Sequence, residues 1–267
     1  MKHMKITVPE IMGMKSKGEK IACLTAYDWC IASLLDQAGL DIVLVGDSAS
    51  MVYAGYQTTI PITMEQMLYH TQCVARGIQR ALLIADMPFL SFQINPEETL
   101  RNAGRFLKEG CAEGVKIEGG EPMAETIRKI TDVGIPVMGH LGLTPQSIKI
   151  FGGYRLRGKD ENEAEILRND AKILEQAGVF AIVLEKIPAD LGKEITESTS
   201  VPTIGIGAGP HCDGQILVTH DLLGLFEQFK PKFARKYAEL AKTMRKAFTN
   251  YSNDVKAGSF PSDSESF

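Results

Sequence analysis

Along this chain, runs of Val, Ile and Leu recur at regular intervals, and five of them close on an acid or a histidine. They are IVLVGDS (42–48), ALLIADMPF (81–89), GVKIEGG (114–120), IPVMGHLGL (135–143) and FAIVLEKIP (180–188), ending on Asp47, Asp86, Glu118, His140 and Glu185. An unbroken apolar run reads as a strand covered on both faces, the habit of parallel sheets. Three further runs, IACLTAY (21–27), PTIGIGAG (202–209) and QILVTHD (215–221), bring the expected strands to eight. Between most of them lie stretches of 3.6-residue periodicity, at 28–39, 62–77, 96–110, 122–134 and 164–178. Several stop at a glycine, as a helix C-terminus does. Thr63 and Asn95 stand where N-caps belong.

Eight strands alternating with helices over about 250 residues predict a closed (β/α)8 barrel, the alternative being an open doubly wound sheet. GIGAG (205–209) lacks the full G-x-G-x-x-G spacing, so it reads as a tight turn at the barrel mouth and not as a dinucleotide loop. One domain is expected over 1–267, with a C-terminal helix and a polar, fraying tail at 255–267. The connections at 46–63 and 142–164 are long, which marks lids and binding loops. Gly152, Gly153, Tyr154 and Arg155 make the second a lid that closes over substrate or, alternatively, a static interface element.

With 44% apolar residues the chain can bury a full core. A net charge of −4 gives no reason to expect nucleic acid or an anionic membrane as partner. No run approaches a membrane span, and MKHMKITVPEIMGMK has no apolar leader core. Cys23, Cys30, Cys73, Cys111 and Cys212 are scattered, without C-x-x-C or zinc spacing. They are expected to be free buried thiols in a reducing, cytoplasmic setting. The basic stretch 230–246 reads as a solvated helix face.

Polar groups at the carboxyl ends of parallel strands lie where barrels build active sites. Asp47, Asp86 and Glu118 end three neighbouring strands. Converging carboxylates repel unless a cation or shared protons neutralise them, and an oxygen-only set suits Mg2+. Taken singly, each acid could instead be an N-cap or an ion-pair partner. Lys116, two residues before Glu118, shares its face. It would balance charge and hold a substrate carboxylate or oxo group, or pair with Asp86. His140 and Glu185 could each move a proton, a partly desolvated glutamate being the better base and the histidine equally a structural hydrogen-bonder. The chemistry that emerges is metal-assisted proton abstraction beside a carbonyl, in which a divalent ion chelated by a 2-oxo acid stabilises the enolate. The electrophile stays open at this level: retro-aldol cleavage, phosphoryl rearrangement and one-carbon transfer all fit.

The segments LTAYD (24–28), LVGDS (44–48), TTIPIT (58–63), ADMPF (85–89), VKIEGG (115–120), GHLGLTPQS (139–147), FGGY (151–154), IGIGAG (204–209) and DGQILV (213–218) occur in this order over nearly the whole chain. In them the sequence closely resembles the ketopantoate hydroxymethyltransferase family, the first committed enzymes of pantothenate synthesis. The resemblance implies a (β/α)8 barrel of the phosphoenolpyruvate mutase/isocitrate lyase type. It implies Mg2+ held by Asp47 and Asp86, with Glu118 completing the metal environment. It further implies Ser48 and Lys116 on the 2-oxo acid and Glu185 as proton acceptor, with His140 among the substrate-binding residues. The one-carbon donor would be 5,10-methylenetetrahydrofolate, the acceptor 3-methyl-2-oxobutanoate and the assembly a homo-oligomer, commonly a decamer of two pentamers. In SFQINPEE (91–98) Phe92 stands where the family often has tyrosine. One rival reading, a related 2-oxo acid lyase or mutase barrel, calls for a Lys-Lys or Cys-bearing mouth loop that this sequence lacks. A catalytically silent barrel, the other, would have lost a metal-site acid, and none is lost.

Overall fold

The computed structural model describes residues 4–228 and 231–267. Residues 1–3, where the N-terminal segment begins, and 229–230, including the first residue of the basic stretch, lie outside them. The chain divides into two compact units, up to Leu217 and from Val218 onward. In the first, strands β1 (Ile21–Thr25), β2 (Ile42–Val45), β3 (Leu82–Asp86), β4 (Gly114–Glu118), β5 (Val137–Gly142), β6 (Ala181–Glu185), β7 (Thr203–Ile206) and β8 (Gly214–Leu217) form a closed parallel barrel. Closure is direct: Cys23 of β1 pairs with Ile42 of β2 on one side and Ile216 of β8 on the other. The open-sheet alternative is excluded.

Strand alternation sorts the side chains into two layers. Val43, Val45, Leu83, Ala85, Val115 and Ile117 belong to the large apolar cluster that includes the helices' buried faces. Ile21, Ile42, Leu44, Leu82, Ile84 and Val183 form a separate cluster inside the barrel. Carried along each strand, the inward parity reaches Asp86, Lys116, Glu118, His140 and Glu185 at the carboxyl ends. The interior is thus apolar below and charged above.

Beneath the barrel runs a helix that the strand–helix pattern does not include, Val8–Lys17. Thr7 and Glu10 form a capping box at its start. Ile6 and the fully buried Ile11 join the interior cluster and close the lower end. Lys15 fastens the helix, donating to Asp213 Oδ2 at 2.9 Å and Thr196 O at 2.7 Å. Ile11→Ala is expected to cost about 2–5 kcal/mol of stability, read in chemical denaturation. A loss below about 1 kcal/mol would mean that the lower end does not depend on this plug.

The five expected helices are present at Trp29–Gln37, Met64–Ala75, Pro96–Lys108, Ala124–Asp132 and Glu161–Gln176. Thr63 and Asn95 cap two of them through their side chains. The last begins three residues early because Asp160 accepts from the Glu163 N–H. β8 stops at Leu217, not near Asp221, because Thr219–Leu222 turns helical. The five cysteines are free, but only Cys23 and Cys212 are buried, whereas Cys30 and Cys111 are exposed. Cys111 takes φ +58° in the turn leading out of its helix, which sets it outside the core.

In the second unit the helix runs from Leu240 to Ala257, later than the basic stretch suggested. Pro231 has no N–H to give a helix. Lys242, Arg245 and Lys246 are exposed, as a solvated face requires. The tail is exposed and ends in a 3-10 turn at Asp263–Glu265. Among the described residues no helix is long and apolar enough to cross a membrane.

Candidate active site

Strand register brings the expected residues together. Asp86 is level with Lys116, Glu118 with His140, and Glu185 with Gly142. Lys116 Nζ lies 2.6 Å from Asp86 Oδ1, 3.9 Å from Glu118 Oε1 and 3.1 Å from His140 Nδ1. His140 Nδ1 is 3.5 Å from Glu118 Oε1, and its Nε2 is 3.3 Å from Glu185 Oε2. Asp47 sits two residues past β2, where the backbone turns, and its N–H donates to Asp86 Oδ2 at 3.0 Å. Gly46 makes that turn possible: a Cβ there would come within 2.7 Å of Ser48 Oγ. Ser48 Oγ in turn shares a 2.9 Å hydrogen bond with Tyr27 OH. Asp47, Asp86, Lys116, Glu118 and His140 are all buried, while Glu185 and Ser48 are partly open at the rim.

So many charges in one dry place shift each other's protonation. Burial pushes the Asp47 carboxyl up to about 8, and Asp86 and Glu118 add to the rise against Lys116 and Gln146. Burial also raises Asp86, with Lys116 opposing. Glu118 is lowered, since His140 and Lys116 outweigh its burial. Burial works against the Lys116 cation, but Asp86, Glu118 and Asp47 hold its pKa above the ordinary lysine value. For His140, burial and Lys116 favour the neutral ring, and the Glu118 and Glu185 carboxylates more than offset them. Glu118 Oε1 and His140 Nε2 make no aligned hydrogen bond, and Asp86 Oδ1 has only its ion pair with Lys116. Buried polar atoms rarely stay under-paired, so their gathering here suits a ligand.

Sequence reasoning gave no role to Gln146, Tyr27 or Thr25, which the structure ties to the site. Tyr27 OH donates to Thr25 Oγ1 at 2.8 Å in addition to its bond with Ser48. Gln146 is buried beside Asp47 and Glu118. All three lie in segments noted above, LTAYD and GHLGLTPQS, so the signal was a motif whose residues had no assigned chemistry. The 142–164 connection is built of a 3-10 turn at Pro145–Ser147 and a short helix at Ile148–Phe151, ending at Gly152 and Gly153 with φ of +65° and +131°. Arg157 packs its guanidinium 3.8 Å over the Phe151 ring and pairs with Glu163. Phe92 is fully buried in the outer apolar cluster.

A closed parallel barrel with acids gathered at its upper end defines a class of enzyme folds, and solved structures place the chain in it. Phosphonopyruvate hydrolase in complex with oxalate and Mg++ superposes with a TM-score of 0.62 at 15% identity, over 97% of this chain and 93% of that one. A 2,3-dimethylmalate lyase, a PEP mutase/isocitrate lyase superfamily member, gives 0.62 at 15% identity over 99% and 92%. These likenesses establish the fold, a (β/α)8 barrel shared with those structures, and nothing finer. Sequence goes further. The family model for ketopantoate hydroxymethyltransferase matches residues 5–263. The 3-methyl-2-oxobutanoate hydroxymethyltransferase of Prosthecochloris aestuarii is 56% identical over 98% of this chain and 96% of its own length. That of Christiangramia forsetii is 56% identical over 99% and 97%, and that of Syntrophus aciditrophicus 53% identical over 100% and 98%. The chain belongs to the ketopantoate hydroxymethyltransferase family and is an enzyme of that kind.

Proposed function

We propose that this enzyme moves a one-carbon unit from 5,10-methylenetetrahydrofolate to C3 of 3-methyl-2-oxobutanoate, water supplying the hydroxyl oxygen, to give 2-dehydropantoate. The observation that carries the reading is the buried Asp47–Asp86–Lys116–Glu118–His140 cluster with Glu185 at its rim, in a chain more than half identical to hydroxymethyltransferases. Mg2+ fits the donor set as a two-carboxylate site. Among the described residues no three Asp, Glu, His or Cys side chains are placed to hold one ion together. Magnesium needs only one or two carboxylates, because it keeps several waters and takes oxygens from its substrate. Asp47 and Asp86 would hold it, with Glu118 reaching the site through water. The excess of buried acids over Lys116, with Glu118 Oε1 making no aligned hydrogen bond, is the need that such a cation meets. When bound, it supplies a Lewis acid for the 2-oxo group.

The chain's own residues do the rest. Lys116, kept charged by three acids, pairs with the substrate's carboxylate or oxo group. Ser48, held beside Tyr27, contacts the same 2-oxo acid. Glu185 stands at the end of β6 as the base that takes the C3 proton, and His140 Nε2 beside it holds the carboxylate in place. A homo-oligomer is part of the reading too, supported by the helix Leu240–Ala257, which leaves Met244, Phe248, Tyr251 and Val255 exposed along one stripe. The test is product formation: 2-dehydropantoate should appear from the two substrates with Mg2+ and cease when the enzyme is stripped with a chelator. Full turnover after stripping would remove the cation from the reading. No product under either condition would remove the reaction.

A further inference from the structure

Gln146 reaches more of the site than any residue assigned to it so far. Its side-chain Nε2 donates to Asp47 Oδ2 at 3.0 Å and to the Met87 carbonyl at 2.9 Å. Its backbone N–H donates to Glu118 Oε2 at 3.1 Å. Its Oε1 accepts from Gln93 Nε2 at 3.0 Å. One residue from the connection after β5 thus contacts segments that follow β2 and β3 and the end of β4. The amide cannot turn over without placing its oxygen against two acceptors, so both donors are held on their targets.

We propose that Gln146 is a positioning residue that decides which carboxylate oxygens the site offers to a cation. It occupies one oxygen of Asp47 through its side chain and one of Glu118 through its main chain. What remains free is Oδ1 of Asp47 and Oε1 of Glu118, the latter already without a hydrogen bond. Unheld, two neighbouring carboxylates would rotate to relieve their repulsion, and an ion arriving would have to reorder them. Gln93 acts one step behind, fixing the amide that fixes Asp47.

This inference rests on the two-carboxylate cation site proposed above, so the experiment reads cation binding and not turnover. Mn2+ binding to the substrate-free enzyme is titrated by electron paramagnetic resonance for the parent and for Asp47→Asn, Gln146→Met and Gln93→Met. Methionine keeps the length of glutamine and removes its donors and its acceptor. The expected result is a loss of about tenfold in affinity for Gln146→Met, the weight of one hydrogen bond to a charged group. A smaller loss, about threefold, is expected for Gln93→Met, which leaves both Gln146 donors in place. Substituting a residue that serves only packing would lower the melting temperature without this graded change in affinity. If the parent binds Mn2+ and Asp47→Asn does not, while both methionine variants bind as the parent does, the role of Gln146 is overturned and the cation site stands. If the parent binds no Mn2+, the cation site falls, and the role of Gln146 with it. Should Gln146→Met fail to fold, Gln93→Met decides alone, and parental affinity in it refutes the proposal.

Discussion

Glu185→Gln is expected to slow exchange of the C3 proton of 3-methyl-2-oxobutanoate by about 10²- to 10⁴-fold, the usual contribution of a positioned base. That proton is on a tertiary carbon and is weakly acidic even when the adjacent carbonyl is polarised. Glu185 ends β6 with its side chain 14% exposed and His140 Nε2 3.3 Å away. The backbone around it is rigidly set. Lys186 takes φ +50°, and Gly142, at φ +90°, lies so close that a Cβ there would come within 2.2 Å of the Glu185 carbonyl oxygen. Glutamine preserves shape and one acceptor but not basicity, so substrate binding should persist. His140→Gln is the control, because His140 is the other group at the mouth able to carry a proton. It contacts Lys116, Glu118 and Glu185 and is expected to lower exchange by less than Glu185→Gln does. Full exchange in Glu185→Gln together with none in His140→Gln would reverse the two assignments.

The barrel was legible because burial on both faces writes each strand as an uninterrupted apolar run, and five such runs end in ionisable groups. Parity was legible too: Lys116 and Glu118, two apart, had to share a face, and the structure puts both inside the barrel with Lys116 on Asp86. The plug helix Val8–Lys17 was harder to see. Its pattern is weakly amphipathic, and Ile11 is its one buried residue, although Thr7 and Glu10 spell a capping box. Helix Ala189–Ser198 lacks a side-chain cap and carries Gly192, whose position is dictated by the Ala208 carbonyl, 2.5 Å from where a Cβ would sit. That constraint comes from the chain just past β7, and a glycine on the buried face weakens the apolar stripe that Leu191 and Ile195 begin. Gln146 is the same problem at the site. A neutral amide in a loop has no charge to flag it, and its meaning comes entirely from Asp47 and Glu118, residues far away in sequence.

Asp47→Asn and Asp86→Asn should both lose more than about 10³-fold in turnover, since several kcal/mol of charge stabilisation depart with the cation. Their effects on stability are expected to part company. Asp86 is the partner of Lys116 at 2.6 Å, with both side chains no more than 5% exposed. Removing one member of such a pair strands the other, at a cost of about 3–5 kcal/mol. Among the described residues Asp47 makes no ion pair, and Lys116 acts on it only from a distance. Burial and its acidic neighbours raise its pKa from 3.8 to about 8, so the folded state prefers it protonated. Its charge therefore weakens the cation-free protein progressively as pH climbs from about 4 to about 8, and by the full amount above that. Asparagine carries no such charge and still offers Gln146 an acceptor. Cation-free Asp47→Asn should accordingly melt above the parent at about pH 8.5 and level with it near pH 4, whereas Asp86→Asn melts below the parent at the higher pH. Melting curves without cation at the two pH values decide it. If Asp47→Asn is destabilised at the higher pH, Asp47 serves the fold and not the ligand, and the two-carboxylate site has to be rebuilt around other donors.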